Sequence, residues 1–197
     1  MADFKPFSIM DLLFPKFSIL LNSDDGEEDA NSTWLESGSA GNKIYIGKDG
    51  ANDAEGGFRF KQVVVLNNAK IIKAVLRMQA AGNFSNPTNL KIKGIKEPSP
   101  DTFASDGSNR PSIRAKTTAA VDWDFAGGGG DGIWVESPDI KTIIQELIGQ
   151  PEFDNKAVAL VIEPDTDCQD NKLAIFYDQS KGAGYEAQLI LTLQPII

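Results

Sequence analysis

The chain has 197 residues, enough for one large domain or a domain with a tail, and its 41% hydrophobic and 24% charged residues are ordinary for a globular protein. A net charge of −9 argues against a binder of phosphate backbones, and the absence of histidine excludes Ser-His-Asp and Cys-His catalysis and nearly all catalytic zinc. Cys168 is the single cysteine, so an intrachain disulfide and a cysteine metal cluster are both excluded.

The first 22 residues read MADFKPFSIMDLLFPKFSILLN. Asp3, Pro6, Asp11 and Pro15 break the apolar run, which therefore reads neither as a signal peptide nor as a membrane span. The expectation is synthesis and folding in the cytoplasm. Phe4, Phe7, Ile9, Leu12, Leu13, Phe14 and Phe17 make this stretch an apolar arm. Either the arm folds back on its own domain as an edge strand or helix, or it docks into another protein; apolar surface of that size usually marks an interface, so these residues are candidate partner-binding side chains. Residues 23–42 open with Ser23-Asp24-Asp25-Gly26-Glu27-Glu28-Asp29, which reads as an acidic linker too charged to bury. Residues 23–55 together carry a net −7, residues 56–100 a net +7, and residues 101–197 a net −9.

From residue 43 the texture changes to short strand-like runs between turn signals, and the sandwich domain is placed at 43–197. Lys43–Gly47, Phe58–Leu66, Ala157–Ile162 and Leu173–Tyr177 are apolar runs of strand length. Ile72, Ala74, Leu76, Met78 and Ala80 alternate with more polar neighbours, as do Leu90 and Ile92 with Lys91 and Lys93, and Leu189, Leu191 and Leu193 with theirs. One helix interrupts the strands at about 138–148. Ser137 is its expected N-cap and Pro138 its first residue, with Ile140, Ile143, Ile144, Leu147 and Ile148 as its apolar stripe. Gly149 and Pro151 stop it. Gly127–Gly130 reads as a loop tip, because no helix and no Lys-Ser/Thr follow it.

The succession "YIG", "FRFK", "AKIIKAVLRMQA", "TNLKIKGI", "AVDWDF", "SPDIKTIIQELI", "KAVALVIE" and "QLILTL" resembles the DNRLRE-type jelly-roll modules over residues 43–193. The Val-Asp-Trp block followed by the Ser-Pro-Asp helix is its most specific part. The resemblance implies an all-β, jelly-roll-like β-sandwich with one principal helix, here preceded by an extended arm. It equates Arg59 with the family's arginine, and it brings in relatives among surface-exposed and phage-encoded proteins, with carbohydrate binding as one family activity.

Three site readings follow. Asp49, Asn52 and Asp53 offer oxygen ligands for a hard cation such as Ca²⁺, although Asp-Gly and Asn-Asp are also turn formers. A second cluster, Asp165, Asp167, Asp170 and Asn171, invites the same pair of readings. Trp34, Trp123 and Trp134 offer flat faces for stacking on sugar rings, or else core filling. No spacing of carboxylates singles out a glycosidase pair, so the chain reads as non-enzymatic and without a cofactor. The expectation is a virion component (a cement, decoration or tail-associated protein) on the virion surface. It would be a homo-oligomer that joins other subunits through the arm, with no nucleic acid as partner and no membrane span. The alternative is a carbohydrate-binding or adhesive surface module.

Overall fold

The computed structural model describes residues 13–29, 31–36, 41–65, 69–82, 87–105, 108–126, 130–153 and 156–194. Among these residues twelve strands form two antiparallel sheets: β1 Lys16–Ser18, β2 Asp25–Glu28, β3 Trp34–Leu35, β4 Lys43–Asp49, β5 Asn52–Lys61, β6 Ile71–Gln79, β7 Thr88–Ile95, β8 Lys116–Phe125, β9 Trp134–Glu136, β10 Ala157–Pro164, β11 Lys172–Tyr177 and β12 Gln188–Leu193. The small sheet runs β1-β12-β6-β9. The large one runs β11-β4-β5-β10-β7-β8, with β2 paired to β5 and β3 to β2. This is an all-β sandwich.

Period-2 alternation sends one side of each strand into the space between the sheets. Leu76 stands opposite Leu189 and Ala74 opposite Leu191 in the small sheet. From the large sheet come Ile44, Ile46, Phe58, Phe60, Leu90, Ile92, Leu160 and Ile162, all fully buried in the same cluster. Trp123, Phe125 and Phe176 close one part of it, with ring centroids 5.5–5.9 Å apart. Ile72, expected on the inner side, is 44% exposed; its neighbour Ile71 is buried instead, where a register shift interrupts the β6–β12 pairing.

A second, smaller core lies on the far face of the large sheet, where Trp34, Phe103 and Ile95 cover Ala159 and Val161. The loop after β7 supplies Phe103, whose ring is 4.9 Å from that of Trp34 and lies under the Arg114 guanidinium.

The one α-helix among the described residues, α1 at Lys141–Ile148, buries Ile143, Ile144 and Leu147. It begins later than its N-cap signal predicts, because the expected cap, Ser137, faces elsewhere. Ser137 Oγ accepts the Leu76 N–H at 3.0 Å and Asp139 Oδ1 accepts the Ala74 N–H at 3.0 Å, so both tie the helix entrance to β6. At the other end Glu146 accepts the N–H groups of Thr118 and Ala119 on β8 and pairs with Lys96. Leu147 packs so closely on Gly94 of β7 that a Cβ there would meet its methyls at 2.7 Å.

The expected division into an arm at 1–22, a linker at 23–42 and a domain at 43–197 is corrected. Residues 16–28 are part of the sandwich: β1 pairs with β12, Phe17 packs on the main core, Ile19 is buried in it, and Asp24, Asp25, Glu27 and Glu28 are all buried. The linker reading failed because it counted charges without the groups that neutralise them.

Truncating Leu76 or Leu189 to Ala should cost about 2–5 kcal/mol each, with a residual cavity between the sheets. The two changes should be non-additive because the residues face each other in register. Chemical denaturation of the two single variants and the double variant checks both statements.

Candidate functional site

The acidic segment is built into a gap. Strand β4 pairs with β5 only as far as Gly47 opposite Ala54, and Gly47, at φ +134°, turns the strand away. A side chain at that position would strike the Lys172 carbonyl and Thr88. Strand β2 then takes over the vacated edge of β5, with Glu28 opposite Glu55 and Asp25 opposite Phe58. Gly26 lets β3 close over it, since a Cβ there would run into the Leu35 carbonyl and the Trp34 ring.

Each buried carboxylate then meets a donor. Glu27 accepts the N–H of Tyr45, on the stretch of β4 that has left β5. Asp24 Oδ1 accepts from Arg59 at 2.7 Å, with Lys61 at 3.4 Å from its other oxygen. Arg59 also reaches the Pro100 carbonyl at 2.7 Å. This is the arginine that the family resemblance singles out, and its work here is to hold Asp24. Glu28 accepts from Arg110 at 3.1 Å, the Ser112 N–H at 2.9 Å and the Ser112 hydroxyl at 2.7 Å. Asp29 Oδ1 closes the turn before β3 by accepting the N–H groups of Asn31 and Thr33.

Asp25 differs. Its Oδ2 accepts the Gln179 N–H at 3.0 Å, yet no cation pairs with it among the described residues. Burial, then the charge of Asp178, hold its carboxyl well above the usual range; the Gln179 N–H works in the opposite direction. Asp178 is also raised by burial, against hydrogen bonds from Ser180.

On the outside, Glu28, Asp29, Ser32, Ala51, Asn52, Asp53, Glu55 and Ser112 line a cleft of about 330 Å³. Glu55, raised by burial, receives Lys116 at 3.1 Å, which lowers it in part. Lys116 also holds Glu163 at 2.6 Å. Burial works against the Lys116 charge, but Glu55 and Glu163 outweigh it and raise its pKa. The row continues outward through Lys93–Glu163 at 2.5 Å, then Lys91–Asp165 at 2.6 Å and Lys91–Asp122 at 3.5 Å. The basic 56–100 segment thus spends these lysines on the chain's own acids.

The three metal candidates lie on the β4–β5 hairpin. Asp49 and Asn52 face each other across the two-residue turn Gly50-Ala51 of the β4–β5 hairpin, and both are exposed, as is Asp53. Among the described residues no group of three or more His, Cys, Asp or Glu is placed to hold a metal ion. In the second cluster Asp165 is bound to Lys91 and to the N–H of Thr166.

The tryptophan platform is corrected. Trp34 and Trp123 are 5% and 6% exposed, on opposite faces of the large sheet. Trp134 lies apart on β9 with the Arg77 guanidinium 4.5 Å above it. Of the partner-binding candidates, Phe4, Phe7, Ile9 and Leu12 lie outside the described residues. Leu13 is half-buried, Phe14 is exposed, and Phe17 packs on the chain's own core.

No protein-family model matches the chain, and no curated protein matches it with significant similarity. No helix among the described residues is long and apolar enough to cross a membrane.

Glu28→Ala should destabilise the protein by about 2–4 kcal/mol, because it strands a partly buried guanidinium and a backbone N–H. Asp53→Ala, at an exposed hairpin position, should change stability by less than about 0.5 kcal/mol. Paired urea titrations separate the two.

Proposed function

We propose that this protein is a non-enzymatic structural subunit, a phage virion component, which joins its assembly through the N-terminal segment while the sandwich forms the outer body. The observation that carries this reading is the row of apolar side chains left uncovered where the chain enters the fold. Phe14, Leu20 and Leu21 are 48%, 51% and 49% exposed, on either side of β1. Covering such side chains is worth roughly 1.5–3 kcal/mol each when complete, and the sequence ahead of them is rich in further apolar residues.

The position of β1 supports the reading. It ends the small sheet, with β12 on one side and no further strand on the other among the described residues. A short, unpaired margin beside exposed apolar groups suits docking by a neighbouring subunit. The chain from β1 onward is itself firmly held, through Ile19 and the buried acids that follow it.

The cut between anchor and body therefore falls ahead of β1, which begins at Lys16, and not at residue 22. A chain lacking residues 1–12 should stay folded, sediment as a smaller species and fail to enter the assembly. So should the full chain carrying Phe14→Asp, Leu20→Asp and Leu21→Asp. A chain lacking residues 1–22 should also melt lower, having lost β1 and Ile19. Sedimentation and co-assembly measurements test this, and equal assembly by the 1–12 deletion would refute the anchoring role.

A further inference from the structure

We propose that Asp25 and Asp178 share a single proton in the folded protein, forming a carboxyl–carboxylate clasp that fastens the N-terminal strand β2 to the turn after β11 and that opens as the pH rises. Both residues are fully buried. Their carboxyls converge on consecutive backbone donors of one 3-10 turn, Gln179–Lys181. Asp25 Oδ2 accepts the Gln179 N–H, and Asp178 Oδ1 accepts the Ser180 N–H at 2.7 Å and the Ser180 hydroxyl at 2.5 Å. That leaves Asp25 Oδ1 and Asp178 Oδ2, both buried and both without a hydrogen-bond partner.

Two charged carboxylates buried on consecutive donors of one turn are strongly disfavoured. One proton relieves the repulsion and supplies the missing hydrogen bond. The surrounding groups do not offer another remedy. On β5, Arg59 and Lys61 are committed to Asp24. Glu27, next along the same face of β2, accepts from Tyr45 on β4. Lys43 starts β4 opposite Tyr177, and the Lys181 ammonium sits over the Tyr177 and Tyr185 rings at 4.7 and 5.6 Å. No ion pair among the described residues includes Asp25 or Asp178. The upward displacement of both carboxyl pKa values agrees with this geometry.

The direction of the pH effect follows. A carboxyl raised in the folded state contributes stability that is present below its unfolded value, near 3.9, and is lost as the pH climbs through its folded value. Below about pH 5 the paired carboxylates elsewhere lose their own stabilisation, so the clasp is read above that point.

The experiment melts the full chain, Asp25→Asn and Asp178→Asn between about pH 5 and pH 9, each with chelator and with millimolar CaCl₂. An asparagine keeps the acceptor for the backbone N–H and supplies a permanent donor to the other carboxylate. The wild-type melting temperature should fall across this range, and each variant should lose much of that slope and melt higher at the alkaline end. In ¹³C spectra of the wild type, at least one aspartate carboxyl should titrate above the ordinary carboxylate range, which tests the proposal even if a variant fails to fold. Parallel slopes in all three proteins, or only ordinary aspartate titrations, would overturn it. So would a calcium-dependent stabilisation of the wild type that either variant abolishes, which would put a cation where the proton is proposed.

Discussion

The fold depends on the burial of an acidic strand. Strand β4 leaves β5 at Gly47, and the exposed edge must be paired or the sheet loses its hydrogen bonds there. Strand β2 fills that edge with the sequence Asp-Gly-Glu-Glu, the least apolar stretch imaginable for a sheet interior. Its carboxylates make the arrangement tolerable by accepting N–H groups that would otherwise be orphaned, those of Tyr45, Ser112 and Gln179, and by holding Arg59 and Arg110. Charge-assisted hydrogen bonds of this kind are among the stronger polar contacts in a protein, and losing one partner is costly.

That strand also sets what the two ends of the chain can do. It follows β1, which is paired with the C-terminal strand β12, so residues 16–28 cross from the small sheet to the large one. The loop after β7 then folds over the outer face, where Thr102 donates to the Ser23 carbonyl and Ser105 bonds both backbone groups of Trp34. Phe14, just ahead of β1, is thereby exposed beside a strand that is paired with β12.

Much of this was legible in the sequence. Alternation located β6, β7 and β12, and apolar runs located β10 and β11, because each strand's burial is set by its own residues. The helix stripe was correct as well, while its first turn was not, since Ser137 and Asp139 bond to β6 across 61 and 65 residues. The acidic segment was misread for the same reason on a larger scale. The partners of Asp24, Glu28 and Asp25 lie 35, 82 to 84 and 154 residues away, and no local pattern announces them. Trp34 and Trp123 could not be assigned to opposite faces without the sheet order, and Asp49, Asn52 and Asp53 read equally well as ligands or as the hairpin turn they form.

Native-state hydrogen exchange tests the account most directly. If residues 25–28 are an integral strand, their amides should be protected to a level near that of β5 and β10. The N–H groups of Tyr45, Ser112 and Gln179, bonded to carboxylates, should exchange slowly with them. Free exchange across residues 23–29, alongside slow exchange in β5 and β10, would contradict the account, because the acidic segment would then be the solvated linker its composition suggests.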